Sequence, residues 1–498
     1  AFIIGPSLKA IEAFFDLMIP LIMKAIIDLT KYDNPKDIPN PLSSFVASFL
    51  RLFGNVSNNQ SLSDAIIGGI IILILGVIGF IITMVTQYIA ARTCVKVGTE
   101  LRDNLYQRIL SLSKEDKVNF SQEKLLTILN SDTYQIQQGV LMYIRLIVRM
   151  PFIILGSIIF SFLLDVRIGF IFLGIVPIIL LIIFGVMRKS SKEYNTIQSD
   201  LDDISISTSD DLSGHKVIRA FNAEKKSEEQ FALKNKKYKN DSMKVAKINA
   251  LINPLSYAVI SLTTLLVVYI GGYPILSKTT AEGTLLASTI ITEISYLTQI
   301  FTSLIQLSNV VLILTKSSVS RKRVDSLLKV KPSIVDNSLA LTKDINNGET
   351  LIDFQHVSFS YDKSGNKVLD DINIKILKGQ TIGFIGGTGS GKSSVINLIE
   401  RMMDVTEGEL LYKGINIKEY RLKSLREEIG LVPQKSTLFK GSIKSNLLMA
   451  KPYASEEELI KVLKEAKAYN FVMAKEDKIE AVVEEEGRNY SGGQKQRL

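Results

Sequence analysis

One cysteine, Cys94, stands in 498 residues, so the chain has neither a disulfide framework nor a paired-cysteine metal site. Its plain reading is a small residue packed at a helix end. Histidine is nearly as scarce, with only His215 and His356. Charge of one sign is not dominant either: Lys+Arg 59 against Asp+Glu 50 leaves a net +9. The basic residues gather beside long apolar runs, not in one patch interleaved with aromatics, which excludes a nucleic-acid binder.

What the chain has in plenty is apolar length. A prior of about 100 to 200 residues per domain gives roughly three units, unevenly composed. Up to Thr315 the sequence carries apolar runs of membrane-spanning length, about 20 residues each, whereas Leu351 to Leu498 is mixed and charged. Six spans are expected: Ile11 to Leu29, Ala65 to Ala91, Val140 to Leu164, Ile168 to Met187, Leu251 to Leu276 and Leu285 to Thr315. The second runs on into Arg92, Lys96, Arg102 and Arg108, which predicts a helix continuing about 30 Å beyond the membrane at ~1.5 Å per residue. The same is expected after Met187. Arg188 to Ala250 is rich in Lys and Arg while the links after spans one, three and five carry few, an asymmetry that places the long loops and both ends in the cytoplasm. The link 31–64, with Asn34-Pro35, Pro39-Asn40-Pro41 and an apolar stretch from Phe45 to Phe53, is unusually long, and the sequence assigns it no role. Ala1 lies inside an apolar segment and is not Met, so both ends read as trimmed.

Charges inside spans cost about 3 kcal/mol or more at bilayer depth unless paired or wetted. Glu12 and Asp16 lie one turn apart in span one, and Arg145 and Arg149 do the same in span three; pairing across helices is the favoured reading. Glu293 in span six has no opposite charge near it in sequence, which leaves two readings open, a packed acid or a cavity-lining acid that attracts cationic substrates.

The chemistry sits in the C-terminal part. After a linker over 329–350, Leu351 to Ser360 alternates as a strand, a hairpin-like segment follows at Lys363 to Lys367, and Thr381 to Ile385 is expected as a short buried strand. It leads into Gly386-Gly387-Thr388-Gly389-Ser390-Gly391-Lys392-Ser393 and a helix from Lys392 to Arg401. A glycine-rich turn opening a helix aims backbone N–H groups at phosphates, while the lysine and the hydroxyl reach terminal phosphate and Mg²⁺. About a hundred residues later comes Tyr490-Ser491-Gly492-Gly493-Gln494, whose N–H groups also suit a phosphate.

These motifs, with Tyr361, Leu431-Val432-Pro433-Gln434, Leu438 to Ile443, Asn446 and Gly487 to Asn489, resemble an ATP-binding cassette (ABC) exporter half-transporter. Leu212-Ser213-Gly214, Val217 to Phe221 and Ser317 to Leu328 resemble its inner-loop and post-span patterns. The resemblance implies an α-helical membrane domain over 1–328 with six transmembrane helices, and an α/β P-loop nucleotide-binding domain over 351–498. It implies that Tyr361 stacks on adenine, where a strand-end core tyrosine is the plain alternative. Residues Gly386 to Ser394 would cradle ATP, with Lys392 neutralising the β and γ phosphates. Ser393 and Gln434 would hold Mg²⁺, Gln434 and Lys392 would act in catalysis, and Ser491, Gly492, Gly493 and Gln494 would meet the γ-phosphate of the ATP held by a second half-transporter. Inner loops near Lys114 to Phe120 and Phe221 to Glu229 would transmit closure of the cassettes, docking near Gln434 and Phe439.

The sequence departs from the pattern in places. Tyr490 stands where Leu is usual, and Asp210-Asp211 where Glu is usual. The switch histidine and the apolar strand ending in Asp-Glu both belong after the signature, and neither histidine here lies there. Arg145-Leu-Ile-Val-Arg149-Met-Pro151 and Asn489 resemble bacterial heterodimeric exporters, with a homodimer as the alternative. The expected function is ATP-driven export of small amphipathic compounds, drugs or lipids, by a multi-pass cell-membrane protein with a cytoplasmic nucleotide domain. A regulatory ATP-binding subunit, or an ATP-gated channel with little hydrolysis, is the alternative.

Overall fold

The computed structural model describes residues 3–32, 34–53, 60–113, 115–117, 120–272, 280–336, 349–361 and 366–498. Lys114, the linker residues Asn337-Ser338 and Asn346-Asn347-Gly348, and most of the expected hairpin at 363–367 lie outside the described residues. Two compact units emerge, one holding Ala1–Ser111 with Phe120–Val330 and the other Leu112–Asn119 with Lys331–Leu498.

The first unit is helical. Its elements are α1 (Ile4–Leu29), α2 (Pro41–Arg51), α3 (Gln60–Ser111), α4 (Gln122–Thr127), α5 (Thr133–Met142), α6 (Arg149–Leu164), α7 (Val166–Ser213), α8 (His215–Ala220), α9 (Glu224–Ala250), α10 (Ile252–Gly272) and α11 (Thr280–Leu328). Two π-helical turns, Ile128–Asp132 and Tyr143–Ile147, join α4 through α6 into one path. The helix expected to outrun span two is α3, whose 52 residues make about 78 Å at 1.5 Å each. After Met187, α7 likewise continues to Ser213.

The sequence predicts six spans; among the described residues five helical stretches are long and apolar enough to cross a membrane. The one that falls short on composition is α1, which carries Lys9, Glu12, Asp16, Lys24 and Asp28 in its 26 residues. Those charges are neutralised in place. Arg149 reaches across from α6 to Asp16 at 2.9 Å and Glu12 at 3.4 Å, and Lys9 pairs with Glu12. Lys24 lies 2.8 Å from Asp28, which also accepts from Ser43 on α2 and Ser288 on α11. Tyr296 of α11 donates to the Leu17 carbonyl at 2.9 Å, and the two sit in one core with Ile154, Phe172 and Ile300. Arg323 and Ser320 near the end of α11 both hold the buried Asp132 of the first π-helical turn. Glu293 is packed inside the bundle: it is 0% exposed, and among the described residues neither carboxyl oxygen is assigned a hydrogen-bond partner. The span's packing against its neighbours decided this, and no sequence pattern announces it.

The second unit has a four-stranded antiparallel sheet in the order β2 (Leu369–Leu377), β1 (Thr350–Phe359), β3 (Glu407–Tyr412), β4 (Ile415–Asn416). Phe354, Val357 and Phe359 of β1 point into a core with Val395 and Leu398 of α12 (Lys392–Ile399) and Leu425 of α13 (Leu422–Glu427). A second core gathers Ile443 of α14 (Ile443–Leu447), Leu463 of α15 (Glu456–Glu465), Val472 of α16 (Tyr469–Met473) and Tyr490. It carries the two-residue pair β5 (Gly441–Ser442) and β6 (Val482–Val483), and α17 (Gly492–Arg497) follows.

Thr381 to Ile385 corrects an expectation: it is not a strand, and Ile385 is fully exposed. Leu431 and Val432 are likewise exposed and unpaired. A parallel strand between helices needs neighbours along both edges, and the described residues supply none beside 381–385. Ser113 and Asp116 of the inner loop and the linker start 331–336 are fixed within this unit. Asp116 accepts from the backbone N–H of Ser113 at 2.9 Å and of Ser333 at 3.0 Å. Asp336 accepts from the Leu422 N–H at 2.7 Å, and Arg401 donates to the Val335 carbonyl at 3.4 Å.

Candidate functional site

The glycine loop ends where left-handed backbone is unavoidable. Gly389 and Gly391 have φ of +87° and +86°, and Gly391 caps α12. A Cβ on Gly391 would fall 2.6 Å from Leu369 Cδ2 and 3.1 Å from the Val368 carbonyl, so glycine is required on two counts. At Gly387 and Gly389 a Cβ would meet nothing within 4 Å, so the loop's outer face is open to a ligand. Helix α12 then begins at Lys392 with no side-chain cap, leaving its first N–H groups directed at that opening.

Lys392 is folded back over the loop. Its ammonium donates to the carbonyls of Gly386 at 2.8 Å and Gly387 at 2.6 Å, and to Ser390 Oγ at 3.2 Å. Ser393 is exposed beside it, while Ser394 is buried. Tyr361 stands edge-on to Phe359, with ring centroids 4.9 Å apart, and its hydroxyl is 2.9 Å from Ser394 Oγ. The structure therefore brings Tyr361, distant in sequence, to the first turn of α12. Gln434 is exposed, and no contact among the described residues brings it to the glycine loop.

The signature residues form a separate construction. Ser491 caps α17 by accepting from the Gln494 N–H at 3.3 Å, while Gln494 Oε1 accepts from the Ser491 N–H at 3.0 Å, a reciprocal capping box. A Cβ on Gly492 or Gly493 would touch nothing within 4 Å. The unusual Tyr490 is explained by packing: it is buried in the second core, donates to the Val482 carbonyl at 3.2 Å and lies under the Lys475 ammonium at 4.5 Å. Asn489 bonds locally to the Val482 carbonyl and the Glu484 N–H. His356 is paired with Asp371 at 2.8 Å.

One arrangement gave no sequence signal. Burial raises the Asp116 carboxyl, but hydrogen bonds from the backbone and hydroxyls of Ser333 and Ser113 outweigh it and hold the group below the ordinary 3.8. Its neighbour Glu115 is pushed up, by burial first and then by the charges of Asp116 and Asp404. The carboxylate thereby ties the loop after α3 to the start of the linker after α11.

Two family models cover most of the chain: the ABC transporter transmembrane region over residues 2–304 and the ABC transporter domain over 369–498. The chain belongs to the ABC transporters. It is a membrane protein that couples a helical spanning region to an ATP-hydrolysing domain. A putative multidrug export ATP-binding/permease protein of Staphylococcus aureus is 30% identical over 480 residues, covering 95% of this chain and 81% of that protein. One of the same description from Bacillus subtilis is 28% identical over 481 residues, 96% of this chain and 81% of its own length. Among solved structures, a bacterial Atm1-family ABC exporter with ATP bound has the same fold. It superposes with a TM-score of 0.73 at 19% identity, covering 98% of this chain and 82% of that one.

Proposed function

We propose that this ABC transporter is one subunit of an ATP-driven exporter moving amphipathic compounds, drugs or lipids, out of a bacterial cell by alternating access. The observation that carries the reading is the open glycine loop ending on α12, with Tyr361 anchored at its first turn, on the same chain as the spanning helices. The relatives named for multidrug export support the substrate class.

ATP would bind with its phosphates against Gly386 to Ser393 and its adenine on the Tyr361 ring. Lys392 would exchange its two loop carbonyls for the β and γ phosphates, a trade of neutral for charged acceptors. Ser393 is suitably exposed to offer its hydroxyl to Mg²⁺, and Gln434 would add an amide oxygen on closure. When bound, the ion neutralises phosphate charge. Ser491, Gly492 and Gly493 would meet the γ-phosphate held by the opposite subunit, since each chain carries one copy of each half-site in separate cores. A heterodimer is our reading, on the resemblance of Arg145 to Pro151 and Asn489. It fails if the chain purified alone gives a fully active dimer.

The test is ATPase activity of the full-length protein in liposomes. Stimulation by amphipathic compounds, abolished by Lys392→Ala, is the expected result. Nucleotide-gated conductance without turnover would overturn it.

A further inference from the structure

We propose that α2 is a lipid-binding element, lying along the membrane boundary and presenting an aromatic face to the acyl chains. It belongs to the long link 31–64, to which no role is otherwise attached, and the inference rests on membrane placement alone, not on export.

The helix has two unlike sides. Val46, Ala47 and Leu50 are buried with Leu21, Ile22, Ala25 and Leu29 of α1. Phe45, Phe49, Leu52 and Phe53 face outward, with Phe45 72% and Leu52 79% exposed, and the Phe49 and Phe53 rings meet edge to face at 5.5 Å. At about 100° per residue, Phe45, Phe49 and Leu52 share a sector of roughly 60°, flanked on one side by Ser48 and Ser44 and opposite the buried Val46, Ala47 and Leu50. Such a face costs free energy in water and has no use for it in a soluble link.

Depth and charge say what covers it. A Cβ on Gly68 of α3 would lie 2.3 Å from Ile26 and 3.9 Å from Leu50. Helix α2 therefore packs on α3 beyond the start of the apolar run at Ala65, not above it. Ile66, Ile70 and Leu73 of span two, the helix on which α2 packs, are also exposed, and we place the same acyl chains over them and over the outward face of α2. The helix carries one charge, Arg51, and that is paired with Asp64 at 3.0 Å. Its attachment is firm: Ser43 donates to Asp28, and the Asn40 amide donates to the Leu163 carbonyl at 3.1 Å. Aromatic rings at the headgroup and acyl boundary are favoured over either pure phase.

The sequence contains no tryptophan, so a single introduced one reports cleanly. The Phe45→Trp and Phe49→Trp variants of the intact protein would be reconstituted in phosphatidylcholine vesicles with and without brominated acyl chains, with Tyr453→Trp, at a position 97% exposed in the second unit, as the water-facing standard. Leu73→Trp on span two serves as the lipid-facing standard and retained ATP binding as the folding check. Brominated lipid should lower the emission of the two phenylalanine-position variants about twofold, close to the lipid-facing standard, and leave Tyr453→Trp largely unquenched. Quenching of the phenylalanine-position variants by aqueous acrylamide instead would make α2 a water-exposed helix. Quenching by neither agent would make its face a contact with a second copy. Either result overturns the proposal.

Discussion

At the scale of single residues, conformation and chemistry meet at Gly391. Its left-handed φ and the 2.6 Å approach to Leu369 make Gly391→Ala costly on both grounds, about 1 to 3 kcal/mol of local strain. A fall in the melting temperature of the soluble unit's transition, together with weaker ATP binding, is expected; an unchanged melt would contradict it. Tyr361 separates two contributions. Its ring is positioned by Phe359 and its hydroxyl by Ser394, so Tyr361→Ala should weaken ATP binding about tenfold, the size of one base–aromatic stack. Tyr361→Phe should retain affinity within about threefold, since stacking needs only the ring. Titration with a fluorescent ATP analogue measures both. The glycine motif and its lysine were plain in sequence because phosphate binding fixes residue type and spacing. Tyr490 read as a bare departure, and only its place in the second core explains it.

Elements are held by polar contacts that the sequence separates widely. Arg149 neutralises Glu12 and Asp16 between α6 and α1, so Arg149→Met leaves Asp16 without its cation, while Glu12 keeps Lys9. A loss of about 1 kcal/mol is expected, read as earlier aggregation on heating in detergent; wild-type behaviour would sink the assignment. Between the loop after α3 and the linker, the Asp116 contacts should depend on pH with a definite sign. A depressed carboxylate stabilises at all pH above its ordinary value of 3.8 and loses that contribution as pH falls through the lower folded value. Hydrogen exchange at the Ser333 amide should therefore stay protected near neutrality and at pH 5, and accelerate only below about pH 3.8 relative to Asp116→Asn, which should exchange fast throughout. Helix positions were legible here from apolar runs and charge. The expected strand at 381–385 was not realised, because a strand in a parallel sheet depends on neighbours that local sequence does not supply.

The whole molecule raises the question of where the two half-sites meet. The glycine loop and the signature belong to different hydrophobic cores of one unit, so ATP should join them between chains. A Ser390→Cys, Ser491→Cys pair in a Cys94→Ala background, assembled with a second half-transporter carrying cysteines in its own glycine loop and signature, should give an oxidised band joining the two subunits that increases with ATP. Cross-linking confined to the monomer would refute the arrangement.

Taken alone, the sequence determined the parts: apolar runs of spanning length, a phosphate loop whose spacing admits little else, and a signature placing the chain among ABC exporters. Those features are local, fixed by transfer energies and by the geometry of backbone N–H groups over a few residues. Tertiary structure decided what depends on distant segments meeting. It buried Glu293 completely where a cavity acid was one of two readings, paired Arg149 with a helix more than a hundred residues earlier, and brought Tyr361 to Ser394. It also laid α2 against span two with its phenylalanines outward, because burial is a property of neighbours and no single stretch of chain records them.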